Sequence, residues 1–326
     1  MAQPTGGDLH VSRPLTNISV AYMQGAQDFI ADQVFPVVPV EKKADSYYTY
    51  AKSAWFKSEA QERAPGTESV GSGWTTGTDN YACRVYAVHK DVADQDRSNQ
   101  DSPVFDLDRD ATEFVTRDLM LKREKLFIAK YFGTSLWGVT DQTGVSGTPS
   151  TNQFKQWNDS GATPIEDITK QRTDMAEKTG YKPQTLVIGA RVYEKWKNHT
   201  TFTERIKYTQ TGIVTTDLMA ATMDLDRILV PMVIENTALE GVADAFSFTY
   251  GKAALLVYSA PNPGLMQPSA GYTFTWNGFL GSGAYGNRIK RFRMEHLESD
   301  RVEGEMAFDQ KMVASDLGVY FTSAVA

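Results

Sequence analysis

The sequence predicts an α+β fold with an elongated part and a compact part. Three observations carry this. Two two-faced strand patterns, Tyr47–Tyr50 and Tyr81–Val92, are separated by a polar stretch of about thirty residues, far longer than an ordinary connection. A long amphipathic helical pattern follows. After a stretch rich in glycine, serine, threonine and proline, residues 133–164, short helices alternate with apolar strands.

The 326 residues suffice for one large or two ordinary domains, and 41% hydrophobic with 22% charged residues is a globular balance. No run approaches the ~20 apolar residues of a membrane helix. The N-terminus "MAQPTGGDLHVSRP" lacks the basic flank and apolar core of a secretory signal and reads as an arm. A net charge of −7 argues against tight nucleic-acid binding by the whole surface. The single cysteine, Cys83, permits no intrachain disulfide, which fits folding in a reducing cytoplasm.

In chain order, Val20, Tyr22, Ala26, Phe29 and Ile30 sit near helical spacing. Phe35, Val37, Val38 and Val40 form an extended apolar segment. Pro36 and Pro39 exclude that segment from a central strand and place it along a surface. Tyr47–Tyr50 is expected to pair with Tyr81–Val92 in a long hairpin standing off the body. With about 20 residues per arm, the hairpin would reach roughly 60 Å at ~3.3 Å per residue.

The clearest helix is Ser102–Phe132, capped by Asp106 or Asp108. Its stripe is Ala111, Phe114, Val115, Leu119, Leu121 and Ile128. Residues 133–164 read as a boundary anchored by Trp137 and Trp157. Beyond it, Ile165–Thr179 is a helix stopped by Gly180, "PQTLVIG" a buried strand and "ARVYEKWKNH" a helix. "VTTDLMAATMD" is a helix capped by Thr215 or Thr216. "RILVPMVIE", "FSFTYGKAALLVYS" and "GYTFTWN" are strands. In the tail, alternation of Phe292, Met294 and His296, then Val302, Met306 and Phe308, predicts strands that return to the hairpin base and the long helix.

The search for chemistry returns little. His10, His89, His199 and His296 form no metal-binding pattern. Cys83 reads as a small buried hydrophobe rather than a reactive thiol. "GSGAYGN" contains Gly281, Gly283 and Gly286 at dinucleotide-loop spacing, but a basic strand follows where the chemistry needs a helix N-terminus. The one basic cluster is "NRIKRFR", with Arg288, Lys290, Arg291 and Arg293. It is expected to pair with acids such as Glu295, Glu298, Asp300 and Glu303, within the chain or across an interface, in preference to phosphate. No catalytic, cofactor or metal residues are assigned, which favours a protein that works through shape and contacts.

The order of parts and the stretches "DFIADQVFPVVPVEKKADSYYTYAKSAWFKSEAQERAPGTES" and "YACRVYAVHKDVAD" resemble the major capsid proteins of tailed bacteriophages. These have the Hong Kong ninety-seven type shell fold, shared with encapsulins and the herpesvirus capsid floor. The resemblance implies an N-terminal arm at 1–44, an extended β-hairpin loop at 45–92 and a peripheral domain with a spine helix at 93–164. It further implies an α/β axial domain at 165–286 and peripheral-domain return strands at 287–326.

The implied function is self-assembly through hexamers and pentamers into the icosahedral head of a double-stranded DNA phage, in the host bacterial cytoplasm. The implied partners are other copies of the chain, a portal, a separate scaffolding protein, a cement or decoration protein, and packaged DNA on the inner face without sequence specificity. No membrane and no cofactor are implied. The residues expected at contacts between subunits are Trp55, Phe56, Glu59, Glu62 and Arg63 in the loop, with Arg288, Arg291 and Arg293 in the tail. Large aromatics and arginine dominate such contacts, and charge pairs set register. An encapsulin-type nanocompartment shell and an α/β enzyme with an unrecognised site are the alternatives.

Overall fold

A computed structural model describes residues 24–98, 106–207, 214–264, 266–280 and 287–326. Val20 and Tyr22 of the first expected helix lie outside these. The apolar segment that follows forms a short helix α1 (Ala31–Val34) and a strand β1 (Val37–Val40). Pro39 has no N–H to give a second neighbour, and β1 sits at the edge of its sheet.

β2 (Ala44–Tyr50) pairs antiparallel with β3 (Thr76–Ala82), Ala44 opposite Ala82 and Tyr50 opposite Thr76. This corrects the expected pairing with Tyr81–Val92. Residues after Cys83 form β4 (Arg84–Ala93), which leaves the hairpin and pairs with the tail. The change of sheet falls at Cys83, whose N–H donates to the Lys43 carbonyl at 2.8 Å. Each hairpin arm is therefore 7 residues, or about 23 Å, well short of the expected reach. A one-turn helix, α2 (Lys52–Trp55), opens the connection between the arms.

After α3 (Asp94–Ser98) comes α4 (Leu107–Tyr131), 25 residues or about 37 Å long. The Asp106 carboxylate caps it, accepting from the N–H groups of Asp108 and Arg109 at 3.2 Å each. Its buried line is Ala111, Val115, Leu119, Arg123, Phe127 and Tyr131, every fourth residue. Four residues advance about 400°, so the line drifts about 40° per step and winds around the helix. That winding lets one helix serve two sheets. Phe114, expected in the stripe, is exposed.

The expected boundary contributes β5 (Gln142–Val145) and β6 (Gln153–Lys155), so it is more than a linker. Trp137 and Trp157 are buried as expected. The remaining elements are α5 (Pro164–Thr179), β7 (Thr185–Ile188), α6 (Ala190–Lys197), α7 (Thr200–Ile206), α8 (Thr216–Thr222), β8 (Arg227–Leu229), β9 (Ile234–Asn236), β10 (Phe246–Phe248), β11 (Ala254–Val257), β12 (Gly271–Trp276), β13 (Asn287–Met294), β14 (Ser299–Met312) and β15 (Gly318–Thr322). Gly180 ends α5 at φ 76°, a left-handed position that suits glycine. The Thr215 hydroxyl caps α8 by accepting from the Leu218 N–H.

One sheet runs β1-β12-β14-β13, with β4 on the other side of β14. The other runs β6-β5-β15-β11-β7-β8. β12 thus pairs with the tail, and the terminal strand β15 joins the compact α/β unit; the chain passes between the sheets more than once.

The second sheet is buried on both faces. Leu186, Ile188, Leu256 and Phe321 pack with Trp157 and Trp196 under the helices that follow α4. Val187, Leu255, Val257 and Tyr320 pack with Phe35, Phe127 and Tyr131. A sheet covered on both faces explains why β7 and β11 are continuous apolar runs without alternation. The N-terminal half of α4 covers the first sheet, Val115 and Leu119 meeting Met306 and Phe308. Gly304 permits that approach: a Cβ there would lie 2.5 Å from Val115 Cγ1 and 2.8 Å from Leu119 Cδ1.

Candidate assembly surfaces

The two surfaces singled out in the sequence are the hairpin loop and the basic strand. Residues 56–75 form no helix or strand, and most of their side chains are exposed. Trp55 is 52% exposed and Trp74 61% exposed, with ring centroids 5.8 Å apart. Tyr50 meets Trp55 edge-on at 6.4 Å. These rings pack against one another at the root of the loop, tilted or edge-on, and still present about half their surface to solvent. Partnered aromatics left half open suit a second contact, because their rotamers are already fixed and little entropy remains to be lost.

Phe56, 62% exposed, lies over the end of α5: a Cβ at Gly180 would be 3.1 Å from its ring. Lys52 pairs with Asp316 at 2.6 Å. The loop therefore touches its own chain at two points. Arg63 donates to the Thr67 carbonyl across the tight turn at Pro65–Gly66. Glu59 and Glu62 are exposed. Trp74 was missed in the sequence because the glycines and serine before it disguise it as part of a linker. Its ring is the closest aromatic neighbour of Trp55.

The basic strand β13 lies at the sheet edge beside β14 and is neutralised within the chain. Arg288 and Lys290 both reach Glu305, at 2.7 and 2.8 Å. Arg291 bridges Asp108 and Asp300 at 2.7 and 3.1 Å. Arg293 is bidentate to Asp94, with one bond at 2.6 Å, and Arg97 joins Asp108 and Asp300 at 2.8 and 2.7 Å. Pairing with acids was expected, but only Asp300 was among the acids foreseen. Asp94, Asp108 and Glu305 are brought in by α3, the start of α4 and the register of β14.

Arg291 and Arg97 hold the Asp300 carboxyl below the usual carboxylate range. Asp94 is likewise held down by Arg293. The network ties the turn end of the β13–β14 hairpin to α3 and the start of the long helix, while Arg288, Lys290 and Glu305 join the two strands at the other end, and charges on an edge strand discourage indiscriminate pairing.

A third feature was not legible in the sequence. Glu124, beside the buried line of α4, is 0% exposed. Its carboxylate accepts the N–H groups of Ile30 and Ala31 at 3.1 and 3.0 Å and the Tyr250 hydroxyl. Arg123 beside it reaches Asp32 at 3.3 Å. Two adjacent charged residues thus clamp the segment where the N-terminal part joins the body. Burial pushes the Glu124 carboxyl up, against the pull of its three donors.

Cys83 is buried, its thiol pushed up to about 11 by burial, which fits its reading as a packing residue. Among the described residues, no group of three or more His, Cys, Asp or Glu side chains could hold a metal ion. No described helix is long and apolar enough to cross a membrane. Gly281–Gly286 lies outside the described residues.

This fold, a long helix backing one sheet with a hairpin loop and an α/β unit of interlaced strands, is shared with solved phage capsids. The capsid structure of the cyanophage P-SCSP1u superposes with a TM-score of 0.61 at 10% identity, over 98% of this chain and 94% of that one. No family model matches the sequence. The major capsid protein of Burkholderia phage BcepMu is 26% identical over 322 residues, 95% of each chain. That of Pseudomonas phage JBD67 is 25% identical over 323 residues, 96% of each. Over nearly its whole length the chain is thus similar to phage major capsid proteins, and it shares the shell fold of a solved phage capsid.

Proposed function

We propose that this chain is the major shell subunit of a tailed-phage head, assembling through hexamers and pentamers around double-stranded DNA. The observation that carries this reading is end-to-end similarity to two phage major capsid proteins. The relatives are structural proteins, which points to a non-enzymatic role. In this reading the loop is the reach of the subunit. Tyr50, Trp55 and Trp74 meet a neighbouring copy, while Glu59, Glu62 and Arg63 set register. Arg288, Arg291 and Arg293 keep the strand edge rigid at the rim and meet a neighbour only through surface their acid partners leave open.

Residues 1–44 serve as the arm, 45–92 as the extended loop, and 165–286 form most of the axial domain. The portal, a separate scaffolding protein, a decoration protein and the packaged DNA are the remaining partners, met in the host cytoplasm. A net charge of −7 suits a container that must release DNA.

Replacing residues 53–78 by a short Gly-Ser turn tests the loop. The expected product is a folded subunit that does not assemble. Normal particles from that variant would remove the loop from the account.

A further inference from the structure

The β9–β10 hairpin shows apolar side chains on the face it turns away from the body. Val233 is buried, and Glu235 is held by Lys125 of α4 at 2.6 Å. By alternation Met232 and Ile234 face the other way. Phe248, opposite Ile234, and Phe246, opposite Asn236, share that outer face. Met232 is 50% exposed and Phe246 66%. The tip beyond them is apolar as well, with Leu239 80% and Val242 64% exposed.

The hairpin is firmly built. The Asn236 side chain accepts the N–H groups of Ala238 and Ala245 at 3.0 Å and donates to Asp244 at 2.7 Å. The Gln24 side-chain amide takes both main-chain groups of Ile234, at 2.6 and 3.1 Å. The exposure therefore belongs to an ordered surface. Several large apolar residues held open on one ribbon, unlike singly scattered ones, mark an interaction site.

The two ends of the ribbon have opposite character. At the root, Met232 and Phe248 line a groove of about 320 Å³ with Arg191, Tyr193 and Lys197 of α6. Arg191 lies over the Phe248 ring at 5.6 Å. Arg191 and Lys195 share the Glu194 carboxylate, at 3.9 and 3.3 Å, while Lys197 pairs with no acid among the described residues. The groove rim is thus basic on balance. The tip is acidic: it carries Glu240 and Asp244, with no lysine or arginine between Asn236 and Phe246.

A chain does not seat this tip in its own groove. From Met232 to Thr237 the ribbon advances five steps of ~3.3 Å, about 16 Å, away from the root. Leu239, at 80% exposure, is seated against nothing in its own chain.

We propose that the tip of this hairpin docks in the α6 groove of a second copy of the chain. Leu239 and Val242 cover Met232 and Phe248 there, and Glu240 and Asp244 face Lys197 and Arg191. The contact is head-to-tail, because knob and groove lie at opposite ends of one ribbon and each copy offers one and receives one. The apolar side chains exclude water, and the opposite charges set register. The inference rests on the self-assembly proposed above and names one contact through which copies meet.

Two full-length chains test it, one carrying Val242→Cys and the other Asn198→Cys beside the groove. Mixed at assembling concentration and treated with a short bis-maleimide, they are expected to give a covalent dimer with one chain of each kind. Its yield, read by mass spectrometry, should exceed that from either chain alone at least about tenfold. Cys83 is buried, and the parent chain sets the background. No mixed dimer, where the parent forms rings or shells, would overturn this contact and leave self-assembly standing. A parent that stays monomeric at every concentration, with no mixed dimer, would overturn both. A Val242→Cys thiol already shielded from maleimide in the dispersed chain would also overturn the contact, since its cover would then come from the same chain.

Discussion

Glu124→Gln perturbs the clamp at the root of the N-terminal segment with almost no change in volume. The carboxylate offers two oxygens to three donors: Ile30 N–H and the Tyr250 hydroxyl at Oε1, and Ala31 N–H at Oε2. A glutamine keeps one oxygen. If it serves Ile30 and Tyr250, the amino group faces the Ala31 N–H, donor against donor. A buried donor left unpaired costs about 1–3 kcal/mol, and the two remaining bonds weaken when the acceptor loses its charge. Relief of a buried charge offsets the weakening, so the net loss is about 1–3 kcal/mol.

Urea unfolding of the dispersed chain is the assay, with the midpoint falling and the slope unchanged. The pH dependence has a definite sign. Burial raises the Glu124 carboxyl, so the folded state holds that proton more tightly than the unfolded state. Its contribution to stability is full below the ordinary carboxylate range and declines as pH rises through the raised value. The glutamine variant lacks this component. A variant midpoint indistinguishable from the parent would refute the clamp.

Gly304→Ala forces a methyl group against Val115 and Leu119 and is expected to destabilise by about 1–3 kcal/mol, read by thermal unfolding. An unchanged midpoint would mean that the helix does not press on β14 as described. Asp300, held below the usual carboxylate range by Arg291 and Arg97, contributes stability that is lost as pH falls through that lowered value. Asp300→Asn should flatten the acid limb of the stability–pH curve. An identical acid limb in parent and variant would contradict the network. Cys83 should resist iodoacetamide at neutral pH in the native chain and react on unfolding, as mass spectrometry would show; rapid native labelling would contradict its burial.

Features fixed by local chemistry were legible in the sequence. The long helix announced itself through the Asp106 cap and its stripe, α5 through Gly180, and the edge position of β1 through its prolines. The rest depended on partners distant in sequence. Arg123, on the buried line of α4, and Glu124 beside it are buried, but charged residues read as solvent-facing until their partners Asp32, Ile30 and Tyr250 are placed. β15 is too apolar to reveal which sheet it joins, because a strand buried on both sides carries no alternation, and the alternation of aromatics with Thr273 and Thr275 in β12 does not name its partner strand. β3 and β4 read as one strand because alternation continues through Cys83, where only the Lys43 contact marks the change. In the loop, Trp55 and Phe56 were visible as stray aromatics, but their different roles were not. Trp55 packs at a tilt against Trp74 within the hairpin, and Phe56 rests on Gly180.

The central claim is that this chain closes on copies of itself. The direct measurement is sedimentation and negative-stain imaging of the expressed full chain, alone and with a scaffolding protein, across a range of concentrations. The account predicts capsomer rings or closed shells. A monodisperse monomer or dimer under every condition would contradict it.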